Sequence, residues 1–185
     1  MEDLSLHVLD IVENSIAAGA RRVEIQIRES RREDLLSIQI VDDGRGMSQE
    51  TLRRVTDPFF TTRRERRVGL GLSLLEQAAR AAGGRLELQS SPGAGTKVAA
   101  VFGLTHPDRQ PLGDVAQTLL ALAVGNPEVE FEYLHESNGW QGSFNTAEIK
   151  ARLAGRPLSS PEGIAALRKA LESIRQGAAY GTSHY

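Results

Sequence analysis

Two polar side chains near the start of the chain have the spacing of a chemical site. Asp10 and Asn14 are four residues apart, and this spacing places both on one face of a helix. An amide oxygen can ligate Mg²⁺, and a carboxylate beside it can orient or deprotonate a water molecule. A hydrogen-bonded or solvated polar stripe has the same pattern, so the pair alone does not identify a site.

Two segments rich in glycine come later in the chain. Asp42-x-Gly44-x-Gly46 follows a predicted strand; its glycines permit a close backbone approach, and Asp42 offers an acceptor to a planar ligand that carries an amino group. Val68-Gly-Leu-Gly-Leu72 leads into a predicted helix, where backbone N–H groups can hold an anion such as a polyphosphate. The alternatives are a tight turn and a loop that needs glycine for its conformation. The second segment has neither the preceding strand of a dinucleotide fingerprint nor the Gly-Lys-[Ser/Thr] of a P-loop.

A fourth motif, Gly93-Ala-Gly-Thr96, lies between two predicted strands, where a simple hairpin turn is the alternative. Each of the four motifs is weak alone. Their fixed order, with helices and strands between them, is much more specific than any single member.

Helices and strands alternate around these motifs. A helix from residue 3 to about 18 has the apolar period of 3.6 residues and ends at Gly19. The period-2 alternation of β-strands appears twice before Asp42. The full prediction for this part is strands at 23–28, 36–41, 85–90 and 97–104, a short helix after Ser48, and a helix at 71–82.

The chain changes character near His106-Pro107, where a polar link follows the last strand. Beyond it we predict helices at 115–124, 146–154 and from 161 onward, and a hairpin formed by 128–135 and 141–145. The predicted organisation is a domain at 1–105, a small helix-hairpin-helix unit at 106–178 and a disordered tail at 179–185.

Composition excludes several classes of protein. The 22 Lys and Arg residues oppose 24 Asp and Glu residues, for a net charge of -2, so no general attraction to nucleic acid or to anionic membranes is expected. The absence of cysteine removes disulfides and thiolate metal sites. The four histidines have no metal-ligand spacing. No long apolar run is present, and a cytoplasmic protein is expected.

Together the motifs resemble the GHKL superfamily, named for gyrase, the heat-shock chaperone, histidine kinases and MutL. The resemblance covers residues 3–104 and implies the Bergerat fold, an α+β two-layer α/β sandwich with ATP in a groove on the helical side of a mixed sheet. The residues from 106 onward would add a small C-terminal α/β appendage. Val12–Ala20 and Ile40–Met47 are similar to MutL, whereas 57–62, 69–74 and 92–96 are similar to histidine kinases.

The resemblance implies a role for each matched residue. Asn14 would hold Mg²⁺, and Asp42 would accept a hydrogen bond from the adenine amino group. Gly44 and Gly46 would shape the adenine pocket. The other cofactor-binding residues implied are Thr61, Thr62, Arg67, Gly69, Leu70, Gly71, Leu72 and Thr96. Among them, the two glycines would admit the phosphates beneath a lid, and the last threonine would lie near the adenine and its bound water.

Two matched positions depart from the family pattern. Asp10 aligns with the glutamate that acts as general base in MutL and gyrase, and its shorter side chain puts efficient hydrolysis in question. Arg67 stands where histidine kinases have a lid glycine, within a run that also contains Arg63, Arg64 and Arg66. Either this run is a solvated lid whose charge attracts ATP, or Arg67 contacts a phosphate.

The resemblance leaves three functions open. The first is a regulatory module that binds ATP or ADP with Mg²⁺, hydrolyses ATP slowly if at all, and relays the bound state to an unidentified protein partner. The second is a kinase that acts on a serine or histidine of a partner, as stand-alone anti-sigma-factor kinases do on serine. The third is a subunit of a larger enzyme that senses nucleotide without hydrolysing it.

Two related functions are not expected. The first box begins within the opening residues, which leaves no upstream phosphoacceptor helix for an autophosphorylating sensor kinase. The C-terminal residues resemble the start of the MutL transducer domain but are too few for all of it, so mismatch repair is not expected. A homodimer through the amino-terminal segment or the tail is compatible with the sequence.

Overall fold

The computed structural model describes residues 3–55 and 70–183 and contains six helices and six strands in those ranges. The predicted order of helices and strands is confirmed, with ends that move by a few residues. No helix in the two ranges combines the length and hydrophobicity needed to span a bilayer. The elements are α1 (Leu4–Ala17), β1 (Arg22–Ser30), β2 (Leu35–Asp42), α2 (Gln49–Arg54), α3 (Leu70–Ala81), β3 (Arg85–Ser90), β4 (Thr96–Gly103), α4 (Val115–Gly125), β5 (Glu130–Ser137), β6 (Trp140–Asn145), α5 (Thr146–Arg152) and α6 (Pro161–Ser183).

The six strands form one mixed sheet in the order β3-β4-β2-β1-β5-β6. All neighbours are antiparallel except β1 and β5, which run parallel. Val23 near the start of β1 is level with Asp42 on β2 and Phe131 on β5. Glu29 near the other end of β1 is level with Leu36 and with the last residue of β5. The prediction of an α+β fold with a mixed sheet is therefore confirmed.

One face of the sheet carries the hydrophobic core. On β1, Val23, Ile25 and Ile27 are each at most 1% exposed, and the alternate residues face away from the core. Helix α1 covers this face with the apolar stripe that the sequence predicted. Helices α3, α4 and α6 complete the layer, and α4 contacts both α1 and α6. The result is two layers, with helices on one side of a sheet.

The sheet continues across the predicted boundary at residue 105. The hairpin of β5 and β6 joins it through the parallel ladder between β1 and β5. Phe131 on β5 is fully buried within the same core cluster as the side chains of β1. Division of the chain at 105 stays a prediction, while the two parts share one sheet and one core.

The end of the chain differs from the predicted disordered tail. Helix α6 runs to Ser183, so the prediction is wrong over 179–183, while 184–185 lie outside the described residues. The helix continues because its apolar stripe continues: Ile174 and Ala178 are buried. Gly177 lies within this helix, and the indole ring of Trp140 occupies the space that a Cβ there would need.

The shared sheet predicts one cooperative unfolding transition. Trp140, the sole tryptophan, lies in β6 and reports on the C-terminal hairpin, whereas far-UV circular dichroism reports on all helices and strands. The two signals should give coincident urea transitions. Phe131→Ala should lower the free energy of unfolding by about 3–5 kcal/mol in both signals.

The control is Leu6→Ala, because Leu6 is 47% exposed and its truncation should cost about 0.5 kcal/mol or less. A tryptophan transition that precedes the circular dichroism transition would show that the hairpin unfolds by itself.

Candidate functional site

The carboxylate of Asp42, the last residue of β2, is the centre of the site. Asp42 is buried, at 8% exposure. Its Oδ1 accepts from the backbone N–H of Gly44 at 2.9 Å and of Thr96 at 3.2 Å, and its Oδ2 accepts from Ser15 Oγ at 2.7 Å. A carboxylate offers about four acceptor positions. These three donors leave an acceptor position on Oδ2 for a ligand.

Glycines surround this carboxylate where no larger residue fits. Gly46 has a φ of 65°, and a Cβ there would run into the backbone carbonyl of Ser91. Gly95 has a φ of 78°, and its Cβ would run into the carbonyl of Asp42. A Cβ on Gly44 would lie 3.0 Å from Oδ1 of Asp42. The loops after β2 and β3 therefore pack backbone against backbone.

Side chain hydrogen bonds hold these two loops together. Ser90 Oγ accepts from Met47 N at 2.8 Å, donates to the carbonyl of Gly95 at 2.8 Å, and lies 2.9 Å from Thr96 Oγ1. The carbonyl of Arg45 accepts from the N–H of the β3–β4 turn at 2.8 Å. Thr96, assigned to the adenine pocket, is thus held by its backbone N–H on Asp42 and by its hydroxyl on Ser90.

Helix α1 presents Asp10 and Asn14 beside the start of α3. Asp10 is exposed and Asn14 half-buried, one turn apart as predicted. A Cβ on Gly71 would lie 3.2 Å from Cβ and 3.5 Å from Oδ2 of Asp10, so the first turn of α3 lies directly against this carboxylate. Leu72 is half-buried and packs against the core. The other lid residues of the prediction, Thr61, Thr62, Arg67, Gly69 and the side chain of Leu70, lie outside the described residues.

Asp43 has a structural role beside the site. Its Oδ1 accepts from the backbone N–H groups of Arg21 at 2.7 Å and Arg22 at 2.9 Å. Although slight burial raises the pKa of Asp43, these donors outweigh that effect and hold its pKa below the usual range. The carboxylate therefore fixes the start of β1.

Sequence reasoning missed two serines of the site. Ser15 stands in the apolar stripe of α1, and its burial at 4% exposure is matched by hydrogen bonds to Asp42 and to the carbonyl of Ile11. A hydroxyl within an apolar stripe was the available signal, because a buried hydroxyl needs a partner. Ser90 ends a strand of alternating residues, and no local signal marks it.

Comparison with known proteins identifies a family over nearly the same residues, 3–104, that carry the motifs of the sequence. A family model described as histidine kinase-, DNA gyrase B-, and HSP90-like ATPase matches residues 2–106, more than half of the chain. A putative sensor protein of Shewanella frigidimarina is 34% identical over 103 residues, 55% of this chain and 16% of the relative. The sensor protein kinase FleS of Pseudomonas aeruginosa is 39% identical over 89 residues, 48% of this chain and 22% of the relative. The chain thus spans less than a quarter of either relative.

A solved structure shares the fold. The N-terminal domain of a DNA repair protein aligns with a TM-score of 0.56 and 17% identity, over 77% of this chain and 52% of that chain. At this identity the likeness concerns the fold alone. It extends beyond residues 2–106, because 77% of the chain is a longer stretch than the family model covers.

The packing of the glycine loops predicts unequal effects of two similar substitutions. Gly46 and Gly93 both have positive φ, at 65° and 77°, but nothing lies within 4 Å of a Cβ on Gly93. Gly93→Ala should therefore cost only the conformational strain, about 1–2 kcal/mol. Gly46→Ala should cost about 2–5 kcal/mol, because it adds a collision with the carbonyl of Ser91.

Urea denaturation of the two variants measures this difference. Equal losses would contradict the close backbone contact between the two loops.

Proposed function

Because this chain belongs to the family of histidine kinase-, DNA gyrase B- and HSP90-like ATPases, we propose that its ATP-binding domain is a nucleotide-dependent regulatory module that uses ATP with Mg²⁺. The observation that carries the proposal is the buried carboxylate of Asp42, which three donors orient and which keeps an acceptor position on Oδ2. The proposal assigns that position to the adenine amino group.

The donors on Asp42 explain why the carboxylate suits an amino group. Two backbone N–H groups hold Oδ1, so this oxygen is fixed as an acceptor by groups that cannot rotate away. Oδ2 faces Ser15 and is the oxygen left for the ligand. An exocyclic amino group supplies a donor there, whereas a carbonyl at the same position would place two acceptors in contact.

The phosphates and the metal ion are assigned to the groove between α1 and α3. The amide oxygen of Asn14 is a hard ligand of the kind that Mg²⁺ prefers, and this ion commonly takes its remaining ligands from phosphates and water. Within 3–55 and 70–183, no cluster of three or more His, Asp and Glu side chains could hold a metal ion. Gly71 allows the first turn of α3 to lie close to Asp10, because a Cβ there would be 3.2 Å from the Cβ of Asp10.

Slow hydrolysis is assigned to Asp10. Its carboxylate lies on α1 one turn from Asn14 and against the first turn of α3. From this position it can hold an attacking water by accepting its proton. An aspartate reaches one methylene less far than a glutamate, so we expect turnover to be slow.

The proposed relay uses the shared core. Helix α1 carries Asn14 and contacts α4, which in turn contacts α6 of the C-terminal unit. A nucleotide that moves α1 therefore also changes the packing of the surface formed after residue 106. A protein partner, or a second copy of this chain, would contact that surface and bind more tightly to one of the two forms of the protein, with or without bound nucleotide.

A kinase that acts on a partner is the second candidate. It is supported by relatives named as kinases, including FleS and the histidine protein kinase DivJ of Caulobacter vibrioides, which is 34% identical over 95 residues. The fate of the γ-phosphate of labelled ATP, incubated with the protein in a lysate of its source organism, distinguishes the functions. Label in free phosphate supports slow hydrolysis, label on a protein supports the kinase, and intact ATP supports a subunit that only senses nucleotide.

Replacement of Asp42 by asparagine tests the adenine assignment without removing side-chain volume. The two backbone donors keep an oxygen at the Oδ1 position, so the new amide nitrogen takes the Oδ2 position and faces the adenine amino group, donor against donor. Ser15 can accept from that nitrogen while it donates to the carbonyl of Ile11, 3.2 Å away, so the fold should persist. ATP affinity, measured by calorimetry, should fall at least about tenfold.

Asp43→Asn is the matched control. The carboxylate of Asp43 accepts from two backbone N–H groups at the start of β1, and the amide oxygen of an asparagine can still accept from both. ATP affinity should therefore stay within about twofold of the unaltered protein. Normal ATP binding by Asp42→Asn would refute the adenine assignment.

Replacement of Asp10 by asparagine tests its role as the base. Removal of a general base should lower the rate of phosphate release by about 10²-fold or more, while calorimetry should show little change in ATP affinity. Glu13→Gln, an exposed neighbour on α1, controls for loss of charge and should leave the rate unchanged. Equal rates in Asp10→Asn and the unaltered protein would exclude Asp10 as the base.

A further inference from the structure

The helix-facing row of the sheet changes from apolar to polar along β1. Ile25 and Ile27 are buried and apolar, and Glu29 follows on the same face. On neighbouring β5 the same row has Tyr133 and His135, which are 4% and 6% exposed. Polar groups are costly in such positions unless they have partners. A polar cluster therefore lies at the end of β1 that is remote from Asp42.

Hydrogen bonds connect the side chains of Glu29, His135 and Tyr133 in series. His135 Nε2 lies 3.0 Å from Glu29 Oε1, and His135 Nδ1 lies 3.0 Å from the hydroxyl of Tyr133. Burial, and then the charge of Glu29, raise the pKa of Tyr133, so the phenol keeps its proton. With a neutral imidazole, Nε2–H donates to the carboxylate and the phenol donates to Nδ1. The phenol oxygen and the second carboxylate oxygen then remain able to accept further hydrogen bonds.

Glu29, Tyr133 and His135 line a cavity of about 190 Å³ that is open to solvent on one side and lies between the sheet and helices α4 and α6. Its apolar walls include Leu171, Ile174 and Ala178 of α6. Asp114 and Arg175 also line it, but Arg175 is held by Glu172 through bonds of 2.8 and 2.7 Å. The lining therefore has two carboxylates, Glu29 and Asp114, against one arginine, and Arg175 also forms a solvent-exposed ion pair with Glu172.

We propose that this cavity is a second ligand site, which binds a small organic cation with an apolar body. An ammonium group would donate to Glu29 and to the phenol oxygen of Tyr133, and the body would pack on the apolar residues of α6. A dry cavity of about 150 Å³ accommodates benzene. The volume here suits a ligand of about six to nine non-hydrogen atoms, because a ring and a short amine arm fit within it.

The site is distinct from the nucleotide groove. Glu29 is six positions along β1 from Val23, which is level with Asp42, and at about 3.3 Å per residue this corresponds to roughly 20 Å. Both sites contact the same strand and the same helical layer. The cavity thus offers a separate place at which a cation could act on this protein.

A matched set of probes tests the proposal on the full chain. Benzylamine, benzyl alcohol and benzoate share one ring and differ in the charge of the attached group. Trp140 reports on occupancy, since its ring centroid lies 6.3 Å from that of His135. Benzylamine should bind at least about tenfold more tightly than benzyl alcohol, because its hydrogen bond to a carboxylate is charge-assisted. Benzoate should bind most weakly.

Glu29→Gln should reduce benzylamine affinity about tenfold and remove the preference over benzyl alcohol. Glu136→Gln is the control, because Glu136 lies on β5 on the opposite face of the sheet. This variant should retain the benzylamine affinity and the preference for benzylamine over benzyl alcohol. Benzoate binding as tight as benzylamine, or no binding by benzylamine, would overturn the proposal even if Glu29→Gln failed to fold. An undiminished benzylamine affinity in folded Glu29→Gln would also overturn it.

Discussion

A buried carboxylate must be satisfied by donors, and Asp42 is satisfied by three different parts of the fold. The hydroxyl on α1, the N–H of the loop after β2 and the N–H at the start of β4 converge on it. Since an unsatisfied charge in this position would be costly, these elements are held in one arrangement. The geometry of the proposed nucleotide site thus follows from the same contacts that satisfy the carboxylate.

Strand β1 extends this dependence to the rest of the molecule. It pairs with β2, which ends in the site, and with β5, which begins the C-terminal hairpin. Its helix-facing side chains are apolar beside Asp42 and acidic at Glu29. Two regions with different chemistry therefore lie at the two ends of one central strand, under one layer of helices.

The order of helices and strands could be predicted because each element has a strong local period. Asp42, Gly44 and Gly46 could be singled out because their residue types and spacing form a local motif. The parallel ladder between β1 and β5 could not, since it joins residues more than a hundred positions apart. The first predicted strand ends at residue 28, before Glu29, yet β1 continues to Ser30. Its partner His135 is equally remote in sequence, so no local pattern marked their hydrogen bond.

The parallel ladder between β1 and β5 also has a consequence for the order of folding. Residues up to Gly103 contain β1, β2, β3 and β4 with every donor to Asp42, whereas β5 is synthesised later. The hairpin of β1 and β2 closes a short loop, and the pair of β2 and β4 joins Asp42 to Thr96 across 54 positions. The parallel pair of β1 and β5 closes a still longer loop, which costs more entropy, so we expect it to form last. We therefore expect the proposed nucleotide site to assemble during synthesis before β5 pairs with β1, so a nucleotide bound there at that stage would stabilise the nascent chain.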